Sequence, residues 1–97
     1  MSAEKKLQKI AGADGLVRPI DEERALNELF AAVFASNGAR QALDYLRSVT
    51  INAIAGPDAS DGQIRHMEGQ RFTVALIERR IHLGRSKQPR LPGERSE

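Results

Sequence analysis

The densest group of chemically capable side chains is Arg65-His66-Met67-Glu68-Gly69-Gln70-Arg71. His66 and Glu68 are its only imidazole and carboxylate, but positions i and i+2 of a helix point to different faces and make no base–orienter pair. His66 and His82 are sixteen residues apart, about 24 Å along one helix, too far to share a metal ion. Asp58, Asp61 and Glu68 lack the spacing of a calcium loop. Gly12-x-x-Gly15 is too short to cradle a phosphate. With no cysteine, disulfides, thiolate metal sites and a thiol nucleophile are excluded. The expectation is a non-enzymatic chain with no catalytic, cofactor or metal residues and no small-molecule substrate.

Two constellations remain. In the first, Arg71 lies between Met67 and Val74, where an apolar residue is expected. Its guanidinium either snorkels to water or pairs with a carboxylate, Asp44 or Glu68 being the candidates. Gly69 inside a helix costs about 1 kcal/mol relative to alanine, so it marks either close approach of another backbone or a tolerated surface position. Glu68, Gly69, Gln70 and Arg71 form the candidate protein-interaction surface. The second is the cationic run Arg79, Arg80, Arg85, Lys87 and Arg90, with no carboxylate between Glu78 and Glu94. It is the candidate contact to a phosphate backbone, or else a solvated tail. It has no stacking aromatic residues, and a helix opening Ser60-Asp61-Gly62 would meet phosphates badly, so sequence-specific groove readout is not expected.

The elements that position these groups read as all-α. Ninety-seven residues allow one domain. Residues 1–20, basic and rich in glycine, read as a mobile segment with a possible short helix over 4–10. Asp21 then offers an N-cap, followed by Leu26, Leu29, Phe30, Val33 and Phe34 at helical spacing. A second helix is expected over 38–55, capped at Ser36, and a third from the capping box Ser60-x-x-Gln63 to Gly84. The body, 21–83, is a small three-helix bundle, and 84–97 read as a disordered basic tail. A core of that size is marginal and favours self-association, with any apolar surplus on helices one and three as the oligomer face. Net charge is only +2. No apolar run suits a membrane span or a secretory signal, so a cytoplasmic or virion-internal setting and no membrane partner are expected.

Phe34-Ala35-Ser36-Asn37-Gly38-Ala39-Arg40-Gln41-Ala42-Leu43, with Leu46 and the later Glu68-Gly69-Gln70-Arg71 step, resembles the Bbp-nineteen-like phage domain over residues 26–83. That short helical family occurs in tailed bacteriophages and prophage-derived elements. Here Ala39 separates Gly38 from Arg40, whereas the family commonly has glycine followed directly by the basic residue. The resemblance implies a setting among head-assembly and DNA-packaging proteins and brings no catalytic residues. The reading is therefore a structural or assembly module, a homo-oligomer or an adaptor to other head or packaging proteins, virion-associated or in the bacterial host. The competing reading is a DNA-binding packaging subunit resembling a small terminase, holding duplex non-specifically through Arg79, Arg80, Arg85, Lys87 and Arg90.

Overall fold

The computed structural model describes residues 8–86. It opens with a hairpin that the sequence reading lacks. Strands β1 (Lys9–Ala11) and β2 (Val17–Pro19) pair antiparallel, Ile10 opposite Arg18. The turn is closed by Gly12 N–H to Leu16 O at 2.8 Å, and Gly15 N–H bonds Gly12 O at 2.9 Å. Gly15 has φ +84°, a conformation that only glycine adopts without steric cost. Asp14 Oδ1 accepts the Leu16 N–H at 3.0 Å, the usual way an aspartate fixes a turn. The helix expected over 4–10 is thus corrected at Lys9 and Ile10, which are strand, and residues 4–7 lie outside the described residues.

Helix α1 (Ile20–Val33) follows Pro19 directly, so Pro19 and not Asp21 is its N-cap. Proline's fixed φ ends the strand and starts the helix without a side-chain cap. Asp21, Glu22 and Glu23 fall in the first turn, where the helix dipole favours carboxylates. Ser36 Oγ then caps α2 (Asn37–Val49) by accepting the Ala39 N–H at 3.1 Å. Arg40 Nη2 reaches back to Ala35 O at 3.2 Å and Arg85 Nη2 to Phe34 O at 3.3 Å. These guanidiniums satisfy carbonyls left over where α1 ends.

Helix α2 stops at Val49, short of the expected 55. The β-branched run Val49-Thr50-Ile51 weakens the helix, and Pro57 has no N–H to give the Ala53 carbonyl. That carbonyl and Thr50 O are taken instead by Arg71. Helix α3 (Asp61–Arg85) opens on the expected capping box, with Gln63 N–H to Ser60 Oγ at 3.1 Å and Ser60 N–H to Gln63 Oε1 at 2.8 Å. Ser86 closes it through His82 O, so Gly84 lies inside the helix.

Helix α1 packs along α3, while α2 meets α3 at few points and α1 hardly at all. The close pairwise packing of a bundle is found only between α1 and α3. Leu43, Val74 and Ile81 form the core, with Phe30, Phe34, Ile51 and Ile77 half-buried against it. The Phe30 and Phe34 rings stack with centroids 6.3 Å apart.

Candidate functional site

Three polar constructions lie on this frame. The most buried joins hairpin, α1 and α3. Ile20, Glu23 and Asn27 share one face of α1 with Phe30 and Phe34, at i, i+3, i+7, i+10 and i+14. Glu23 and Asn27 are 7% and 3% exposed, and Arg80 opposite them is 3% exposed. Arg80 Nη1 donates to Glu23 Oε2 at 2.9 Å and to Asn27 Oδ1 at 2.8 Å. Its Nη2 stands 3.4 Å from Asp14 Oδ2. Arg18 on β2 bridges Asp14, 2.7 Å at Nη2, and Glu23. The Ala13 N–H adds a bond to Glu23 Oε2 at 3.0 Å. Gly12 has no room for a Cβ, which would sit 2.8 Å from Glu23 Cδ. Among the described residues no buried side-chain polar atom lacks a partner, as a buried ionic network requires.

The network moves its own titrations. Hydrogen bonds from Arg18, then from the Leu16 N–H, hold the Asp14 carboxyl well below the usual carboxylate range. Burial alone raises Glu23, but hydrogen bonds from Arg80, the Ala13 N–H and Arg18 outweigh it and leave Glu23 lowered. Asp14 and Glu23 in turn raise Arg18 above its ordinary value. Both carboxylates therefore favour folding above the pKa values of the unfolded chain, near 4. Below about pH 4.5 the unfolded chain takes up protons that the folded chain refuses, so stability falls with pH until the folded carboxylates also protonate. Thermal melts at pH 5 and pH 3 are expected to show a marked drop in Tm, flattened in the variant carrying Asp14→Asn and Glu23→Gln. Equal drops in the two proteins would remove the network from the acid response.

The second construction is Arg71. Its Nε donates to Thr50 O at 3.2 Å, Nη2 to Ala53 O, and Nη1 to Glu68 Oε1 at 2.8 Å. Arg71 is thus paired with Glu68, not Asp44, and pins the loop after α2. Glu68 and Gln70 face solvent, Gln70 against His66 Nε2 at 3.2 Å. Gly69 has open space around it, so the surface reading of this glycine holds. The close approach occurs instead at Gly84, against the Asn27 backbone and Ala31.

The third is the basic run, which the structure divides. Arg80, expected as a phosphate contact, is corrected to a buried member of the network, because its partners Glu23 and Asn27 lie in α1 beneath it. Arg79 and Arg85 are exposed. Lys87 and Arg90 lie outside the described residues. Around these constructions Leu29 and Val33 of α1, Tyr45, Leu46 and Val49 of α2, Ile54 of the loop and Phe72 of α3 are exposed. Ile64 of α3 is exposed too, so the apolar surplus is spread over all three helices and is richest on α2, which the expectation of helices one and three left out. Sequence reasoning missed Glu23 and Asn27; their signal is two polar residues on the Phe30–Phe34 face of α1.

Among the described residues no group of three or more His, Asp or Glu is placed to hold a metal ion, and no helix is long and apolar enough to cross a membrane. The family described as Bbp19-like phage protein matches residues 30–91, more than half of the chain. The match takes in the last turn of α1, α2, the pinned loop and α3, and leaves the hairpin and most of α1 outside it. No curated protein and no solved structure matches.

Proposed function

This chain belongs to the Bbp19-like phage proteins, and from that premise we propose that it is a non-enzymatic structural or assembly module, self-associating and working through protein contacts. One observation carries the reading: among the described residues only four apolar side chains are buried, while Leu29, Val33, Tyr45, Val49, Ile54 and Phe72 are exposed. A domain of this size gains little from its own core, and large apolar groups left in water stabilise an assembly when a partner covers them. The charged groups support the same reading. Arg80, Arg71 and Arg47 are each engaged within the chain.

Sedimentation velocity over a broad concentration range tests it, with growth to a defined oligomer as the expected result. A chain that stays monomeric and folded throughout, and recovers no partner from phage particles, would overturn it. Binding to a labelled random-sequence duplex across a salt series checks the packaging reading. Phosphate contacts release counterions and make log affinity fall steeply with log salt. With Arg80 inside the fold, no such binding is expected, and a steep slope would replace the assembly reading.

A further inference from the structure

Two surfaces of the α2–α3 pair lie outside the buried network: the loop that joins the helices and a cleft between them. The loop presents Ile54, 91% exposed. The backbone beside it is pinned: Arg71 holds Thr50 O and Ala53 O, and the Asn52 N–H bonds Arg47 O at 3.1 Å. An apolar side chain fixed outward has little freedom left to lose on docking. From Ser48 to Ile64 the chain has no cation, and its two carboxylates, Asp58 and Asp61, are exposed. Both charged side chains of that stretch are thus carboxylates, and the cations nearest to it in the chain are Arg47 before it and Arg65 after it.

A cleft of about 380 Å³ opens between α2, from Arg40 to Arg47, and the last turns of α3. Phe34, Leu43 and Ile81 supply its apolar surface. On its rim Arg47 and Glu78 cancel as an ion pair. That leaves exposed Arg40 and Arg85 against one carboxylate, Asp44. Two arginines stand on the rim where the loop carries two carboxylates, and part of the cleft wall is apolar where the loop presents isoleucine.

We propose that the Ile54 loop of one copy seats in this cleft of the next copy, head to tail. This rests on the self-association reading and names its surface. Loop and cleft are different surfaces of the chain, so each copy uses one of each. Made head to tail, such a contact extends into a ring or a filament, depending on the rotation between copies.

Two variants test it, each with helical content checked by circular dichroism: Ile54→Arg, which blocks the loop, and Arg40→Glu with Arg85→Glu, which reverses the rim. Each alone is expected to self-associate at least tenfold more weakly than wild type by sedimentation velocity. Mixed in equal amounts they are expected to form a one-to-one heterodimer, since the first keeps an intact cleft and the second an intact loop. Asp58→Arg, which alters the charge of the loop alone, should weaken wild-type assembly and pair again with the rim-reversed chain. Ile54→Arg assembling like wild type, or a mixture that stays monomeric, overturns the proposal while leaving self-association through another face. A wild-type chain that is monomeric at every concentration overturns the function reading itself, and this inference with it.

Discussion

Arg80→Ala is expected to remove about 3–5 kcal/mol of folding stability, the cost of breaking a buried ion pair by deleting one partner. A small domain has only about 5–15 kcal/mol in total. The loss follows from what stays behind. Glu23 and Asn27, 7% and 3% exposed, lose the donor they face at 2.9 and 2.8 Å. Water cannot replace it without opening the contact between α1 and α3. Arg18 and the Ala13 N–H still hold Glu23, which places the expected loss toward the lower end. The same physics gives the control. Removing both charges, as Arg80→Met with Glu23→Met, leaves no orphaned carboxylate and is expected to cost less than Arg80→Ala alone. Urea unfolding of the three proteins decides it. A loss under about 1 kcal/mol for Arg80→Ala would mean that Glu23 is hydrated or protonated in the folded chain.

What could be read from the sequence was what is local. The caps at Ser36 and Ser60 each bond within three residues, and both stand where the pattern puts them. The stripe on α1 divides: Phe30 and Phe34 reach the core, but Leu29 and Val33 are exposed. Periodicity reports which residues share a face, and not whether a neighbour covers it; α2 does not cover α1. The end of α2 was hidden because the group that takes its released carbonyls, Arg71, lies twenty-one residues beyond Thr50. Arg80 was hidden more deeply. In a run of cations it looks solvated, and its carboxylate partner is fifty-seven residues away. The hairpin has strands of three residues, too short for alternation to show, so Gly12, Asp14 and Gly15 read as a loop without the strands beside it. The family segment, residues 30–91, is where the quoted motifs lie, and the network's partners Asp14, Arg18, Glu23 and Asn27 precede it.

The two glycines of α3 are expected to answer oppositely to the same substitution. By helix propensity alone, Gly→Ala stabilises a helix interior by about 1 kcal/mol. At Gly69, where nothing stands within 4 Å of the added Cβ, that gain should appear nearly whole. At Gly84 the new Cβ would fall on the Asn27 carbonyl, 2.7 Å from its carbon, and 2.8 Å from Ala31 Cβ. These are backbone and first side-chain atoms of α1, which no rotamer change moves aside. The helices must separate, and overpacking of this kind costs about 1–3 kcal/mol. The separation also stretches the Arg80 bonds to Glu23 and Asn27, which cross the same contact. Gly84→Ala is therefore expected to be destabilising by about 1–2 kcal/mol once the propensity gain is set against the clash. Urea midpoints for Gly69→Ala and Gly84→Ala give the comparison without any assumption about the unfolded chain, because the chemical change is identical. Gains of equal size at both positions would show that α1 and α3 do not touch at Gly84, and with that the buried pairing of Arg80 would fall too.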